Sequence, residues 1–255
     1  MSARPVLLRL RALAFPAVLL AALEWHTRTS GAGSDALAPP TAAAGALLRA
    51  MTNGSLWEAT AFTLGCAALG LAFGALLGLL LGIVLGLVPR ASRMGFLSVE
   101  VLRPVPSVAL IPLAMLVFGF GLRMEVSVVA FATFWPMLVL SQAAARQVEP
   151  RLLEVAAALG LSASARVFKI VIPAMVPRLF VALRLGVAIA LVVAVTVEIA
   201  ANPHGMGYAM MIAQQSLEPA SMLAWLFWIS VVGYAINAGA LALQLHVARR
   251  MGVAA

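Results

Sequence analysis

The chain has 255 residues, 64% of them hydrophobic and only 10% charged, with a formal net charge of +8. A soluble domain of this size carries about 45–50% apolar and about 25% charged residues. The composition therefore excludes a water-soluble fold and makes lipid the main solvent. One cysteine, Cys66, also excludes an intrachain disulfide or a cysteine-based metal cluster.

A spanning helix needs about 20 mainly apolar residues, because hydrocarbon offers no partner to backbone N–H and C=O groups. Six segments predict such helices: 7–25, 59–88, 104–121, 126–145, 179–201 and 223–247. In the first, Arg9 and Arg11 leave a clean apolar run only over 12–23. It reads either as a retained anchor or as a secretory signal peptide. The bulky, charged Glu24-Trp25-His26 argues against a cleavage site. A Gly/Ser/Pro-rich connector at 27–40 and a short helix at 41–51 follow. The expected division is an anchor with its connector over 1–58 and a membrane domain over 59–250.

The second segment carries glycine at every fourth position: Gly70, Gly74, Gly78, Gly82 and Gly86. Such a face lets a neighbouring helix approach closely, and van der Waals packing then supplies the association energy. That neighbour is either another helix of the same subunit or a second copy of the chain. The third segment opens with Arg103-Pro104-Val105-Pro106 and has a further proline, Pro112. Each proline removes a backbone donor and disfavours helix in the residue before it. In lipid, so disrupted a helix must line a pathway or be buried in the bundle. Ser107 is the polar residue best placed to show which.

Thr133, Thr196 and Glu198 are further polar residues at membrane depth, where ionisable groups are functional candidates by default. With Ser107 they make the candidate translocation pathway. Glu198 lies twenty residues after Arg178, or about 30 Å at 1.5 Å per residue. That spacing predicts a hydrated carboxylate at the outer interface.

The basic residues set the orientation. With a cytoplasmic N-terminus, fourteen of the seventeen fall on the inner side or at inner helix ends, and only Arg28, Arg49 and Arg123 fall outside. This is the positive-inside distribution of a multi-pass inner-membrane protein with both termini cytoplasmic. The net charge thus orients the chain in its bilayer and does not indicate a nucleic-acid partner.

The longest inner loop, 146–178, reads as a helix–turn–helix. Pro150 suits a first helical turn, where its missing N–H costs nothing. Ala156, Ala157 and Ala158 are strong helix formers. Gly160 is a left-handed stop, and Ser162 or Ser164 can cap a second short helix. Pro173 is expected to terminate that second helix.

Glu154, Ala156 and Gly160, followed by Ile170-Val171-Ile172-Pro173, resemble the EAA signature of bacterial ABC-importer permeases. Val155 and Ile172 are mild departures, standing where alanine and leucine are usual. The resemblance implies an all-α, polytopic helical bundle of about six spans with a cytoplasmic coupling loop, the type I ABC-importer permease fold. It implies that Glu154, Ala156, Gly160, Ile170 and Pro173 dock a separate cytoplasmic ATPase subunit. Residues 102–106, 109–113, 118–121, 198–200 and 205–208 are similar to the subfamily importing taurine, alkanesulfonates and nitrate. A homodimer and a periplasmic solute-binding protein are implied with it, as is a small anion or related organic solute.

Several chemistries are absent. The only lysine, Lys169, follows Phe168, so no Walker P-loop exists and ATP would be bound by the partner subunit. His26, His204 and His246 are dispersed, and Asp35 is the sole aspartate. No cofactor, metal site or catalytic constellation is expected. The alternative is an ion-driven carrier or channel, which predicts paired acids deep in the bundle; only Glu198 comes near that expectation.

Overall fold

A computed structural model describes residues 18–29 and 38–250, and every regular element among them is helical. We label them α1 (18–29), α2 (Pro40–Thr52), α3 (Ser55–Leu87), α4 (Pro89–Leu102), α5 (Ile111–Phe118) and α6 (Leu122–Arg146). Then follow α7 (Pro150–Ala158), α8 (Ala163–Arg166), α9 (Ile172–Ala200), α10 (Gly205–Gln215) and α11 (Pro219–Arg250). A 3-10 turn, Ser107–Leu110, leads into α5, and a π-helical turn, Val167–Val171, joins α8 to α9.

Four helical runs are long and apolar enough to cross a membrane: α3, α6, the continuous stretch Ala163–Ala200, and α11. They answer to the second, fourth, fifth and sixth predicted segments. The first predicted segment lies mostly outside the described residues. The third needs correction, because 104–121 is not one straight helix. α4 and the run Ser107–Phe118 form a pair bent by 84°, which makes a fifth span only if counted together. α5 has eight residues, about 12 Å, against a hydrocarbon core of about 30 Å. The prolines are the cause: Pro106 is held extended at φ −62° and ψ 119°, so the helix cannot run through it.

The core is a parallel seam between α3 and α6. The five glycines of α3 meet Val129, Thr133, Met137, Ser141 and Ala145 in register. A Cβ at Gly78 would lie 2.6 Å from the Phe134 carbonyl oxygen and 2.8 Å from Met137 Cβ. The glycine face is therefore filled by the chain's own α6, and the second-copy reading is not needed. α9 runs antiparallel to both. Ala190, Ala194 and Val197 pack on Val128 and Val129 at one end of the bundle, and Val171 and Met175 pack on Ala144 and Ala145 at the other.

α11 runs antiparallel to α9 on the outside of this trio. Trp228 donates its Nε1–H to Thr60 Oγ1 at 2.8 Å, and Arg184 Nε donates to Asn237 Oδ1 at 3.3 Å. Leu226, Phe227 and Tyr234 remain exposed, as suits a surface bathed in lipid. α1 is tied to the start of α2: Glu24 Oε2 accepts the Thr41 N–H at 3.0 Å.

Gly78→Leu forces the seam apart and should destabilise the bundle by about 1–3 kcal/mol or more. Gly65→Ala, where an added Cβ meets nothing within 4 Å, should be neutral or gain about 0.5–1 kcal/mol of helix preference. Thermal unfolding of the two purified variants checks the pair. Equal losses would show that the seam is not tightly packed.

Candidate functional site

The segment between α6 and α9 is shaped by local chemistry at each joint. Pro150 opens α7 in its first turn. Gly160 closes it at φ +68°, where a Cβ would cost about 1–2 kcal/mol. The Gly160 N–H donates to Ala157 O at 3.0 Å and the Leu161 N–H to Ala156 O at 3.0 Å. This doubly bonded C-terminal motif satisfies carbonyls the helix end would otherwise leave bare. Ser162, not Ser164, starts the next helix: its Oγ accepts the Ala165 N–H at 3.3 Å.

Pro173 does not terminate that helix. It sits in the first turn of α9, and helical structure is continuous from Ala163 to Ala200. The π-helical turn lies immediately before Ile172 and Pro173. It locally widens the ladder where a proline ring would press on the carbonyl four residues back. The second short helix of the loop is thus the first part of a 38-residue rod.

The rod is rooted and its tip is bare. Val171 and Met175 are fully buried against Ala144, Ala145, Val148 and Ile83. Ala156 is fully buried, Ile170 half-buried, and Glu154, Gly160 and Pro173 exposed. Val155, Leu159 and Phe168 stand 55%, 71% and 70% exposed. Arg151, Glu154 and Lys169 are exposed in the same segment, and exposed apolar side chains in such number are what a partner protein can cover.

The four pathway candidates fall into different settings. Thr133 is fully buried in the α3–α6 seam, where its hydroxyl donates to Val129 O at 2.9 Å. Thr196 is half-buried and donates within its own helix to Val192 O at 2.7 Å. Ser107 is half-buried at the start of the 3-10 turn. Glu198 borders a cavity of about 380 Å³ with Phe120, Asn202, Pro203, Tyr208 and Met211.

Glu198 also corrects the expectation of a hydrated carboxylate. It lies near the end of the bundle, as the spacing predicted, but has no exposed surface. Its Oε2 accepts the Gly207 N–H at 2.8 Å. Glu125, in the first turn of α6, is equally buried beside it. The Glu125 Oε2 accepts the side-chain N–H of Asn202, and the Thr63 Oγ1 accepts the Met206 N–H at 3.0 Å. Sequence reasoning passed over Glu125 because it took the span to start at 126, whereas the helix starts at Leu122. The signal was available: an acid favours the first turn of a helix, near the positive end of its dipole. α10, which brings Met206 and Gly207 to this cluster, was also not foreseen as a helix.

Over residues 74–253 the chain matches the family model described as "Binding-protein-dependent transport system inner membrane component". It belongs to that family. This permease is 29% identical to the putative aliphatic sulfonates transport permease protein SsuC of Bacillus subtilis, over 88% of this chain and 81% of the relative. It is 34% identical to the riboflavin transport system permease protein RibX of Chloroflexus aurantiacus, over 80% and 77%. Its fold is similar to that of the MetNI methionine ABC transporter in inward-facing conformations, with a TM-score of 0.65 at 18% identity over 72% of this chain and 92% of that one. The permease is an ABC transporter's inner-membrane subunit with the type I importer fold, and ATP is hydrolysed on a separate subunit.

Gly160→Val places a β-branched side chain at positive φ and should loosen the α7 terminus by about 1–2 kcal/mol. Amide exchange over 150–171 should accelerate about fivefold to thirtyfold, while α3 and α6 stay protected. Hydrogen-exchange mass spectrometry of the variant checks this, and unchanged exchange in the loop would refute the assignment of Gly160 as the stop.

Proposed function

We propose that this permease forms, as a homodimer, the pathway by which a small solute is received from a periplasmic binding protein and released to the cytoplasm. Its 146–178 segment is the lever gripped by the ATPase. The observation that carries this reading is the unbroken helix from Ala163 to Ala200. It joins Phe168, exposed near its start, to the opposite end of the bundle in one helical run. A push on the tip by a closing ATPase is then a push on the whole rod, and two packings of α9 against α3 and α6 supply the alternating states.

The charge distribution supports a cytoplasmic position for the tip. Arg90, Arg93, Arg146, Arg151, Arg166, Lys169, Arg178, Arg249 and Arg250 lie at that end, and Arg28, Arg49 and Arg123 at the other. That asymmetry supports a cytoplasmic side for both termini. The docking residues on this reading are Glu154, Ala156, Gly160, Ile170 and Pro173, with Val155, Leu159 and Phe168 supplying the apolar contact. Ser107, Thr196 and Glu198 are the pathway candidates. Thr133 serves the helix seam as well.

A sulfonate-like small anion is the solute we favour, on the strength of the sulfonate relative. The riboflavin relative marks a larger organic solute as the competing cargo. The Glu125–Glu198 pair is what an ion-driven carrier would show. Membership of a binding-protein-dependent family assigns the energy source to ATP instead, and leaves the pair to be explained separately.

Phe168→Asp and Leu159→Asp put a charge into the proposed contact without touching the rooted residues. Each should reduce ATPase co-purification at least about tenfold, a loss of about 1.4 kcal/mol, with thermal unfolding unchanged. Retention of the ATPase by both variants, or labelling of Leu159→Cys by an impermeant reagent outside intact cells, would overturn the lever. Thermal-shift screening of the cognate binding protein with alkanesulfonates and with riboflavin decides between the two cargoes.

A further inference from the structure

At the end of the bundle opposite the coupling segment, four elements meet on two carboxyl groups. Glu125 comes from α6, Glu198 from α9, Asn202 from the α9–α10 turn, and Thr63 and Cys66 from α3. Glu125, Glu198 and Thr63 are fully buried, and Asn202 is 1% exposed. Asn202 draws the two carboxyls together: its backbone N–H donates to Val197 O at 3.1 Å, one residue before Glu198, and its side chain reaches Glu125 Oε2. Yet Oε1 of each glutamate, and Oδ1 of Asn202, find no donor among the protein groups. Asn202 is held in the cluster by its own side-chain N–H on Glu125.

No cation compensates these acids. The only ion pair among the described residues is Arg28–Glu24, elsewhere in the chain. The titratable neighbours are Cys66 on α3, and Tyr208 and His204 at the start of α10, where the His204 ring stacks on Phe62 at 5.1 Å. The 3-10 turn and α5 carry no titratable residue, and Arg123 on α6 is exposed. Two carboxylates drawn together with no exposed surface cannot both stay ionised. One proton between them replaces repulsion by a strong O–H···O⁻ hydrogen bond.

The backbone is built around this pair. Gly205, at φ +93°, has no room for a Cβ beside the Glu198 carboxyl, and a Cβ at Gly207 would lie 2.9 Å from Glu198 Cβ. A metal ion suits the site poorly. Hard cations take six or more oxygens, and here only Oε1 of each glutamate and Oδ1 of Asn202 lack partners.

We propose that Glu125 and Glu198 hold a single shared proton, which latches the α9–α10 turn to α6 at this end of the permease. Asn202 and the Gly207 N–H orient the two carboxyls so that each presents an oxygen to the proton. The latch does not depend on which solute is carried or on whether the coupling segment binds an ATPase.

Infrared spectroscopy of the full chain in lipid bilayers at neutral pH reads the proton directly. The wild type should show the C=O stretch of a protonated carboxyl. E125Q and E198Q should each lose that band, because the glutamine amide donates to the remaining carboxylate. E58Q, an exposed control on α3, should keep it. Absence of the band in the wild type, or its survival in either pair variant, overturns the proposal. If one variant fails to fold, the other decides. A sodium- or calcium-dependent rise in Tm that E198Q abolishes would assign the site to a metal ion and likewise overturn it.

Discussion

The close approach of α3 and α6 is the constraint on which the remaining architecture depends. Apolar burial gives little net attraction between helices that are already in lipid, so association rests on contact distance. Five glycines in register let the α6 backbone come within a side chain's width of α3, with the Phe134 carbonyl oxygen 2.6 Å from where a Cβ would stand at Gly78. α9 then lies across a rigid pair, and α10 and α11 lie against α9. A looser seam would leave neither the root of the coupling rod nor the acid pair with a fixed partner.

Both ends of the bundle use that rigidity. At one end the helical stretch Ala163–Ala200 carries Phe168, which with Val155 and Leu159 at α7 is left uncovered by the described residues. At the other, the same helix delivers Glu198 into a cluster that α6 and α3 close from two sides. A single helical run therefore connects an exposed apolar end to a buried polar group. The π-helical turn precedes Pro173, and helical structure runs on through both Pro173 and Pro177.

The acid pair and the coupling tip present opposite physical problems. The tip exposes hydrophobic side chains to water, which is tolerable only where a partner covers them. The pair hides polar oxygens from water, which is tolerable only where protons and hydrogen bonds satisfy them. On the proposed reading, the separate ATPase covers the first. The second is a property of how this chain folds back on itself between Asn202 and Gly207.

Much was legible in the sequence because it depends on local rules. Composition alone determined lipid as the solvent. Apolar runs placed three spans to within about four residues and a fourth with its start missed, because its helix begins at Ala163 and not 179; glycine spacing announced a close helix contact, and Pro150, Gly160 and a serine at 162 or 164 marked the joints of the loop. Tertiary structure decided what local rules cannot reach. It chose α6 as the partner of the glycine face. It bent the proline-rich third segment by 84° and carried the helix through Pro173. It also brought Glu125 and Glu198, 73 positions apart in the chain, into one dry cluster. Burial of a carboxylate depends on which helices close over it, and that is a property of packing, which sequence spacing along any one helix does not contain.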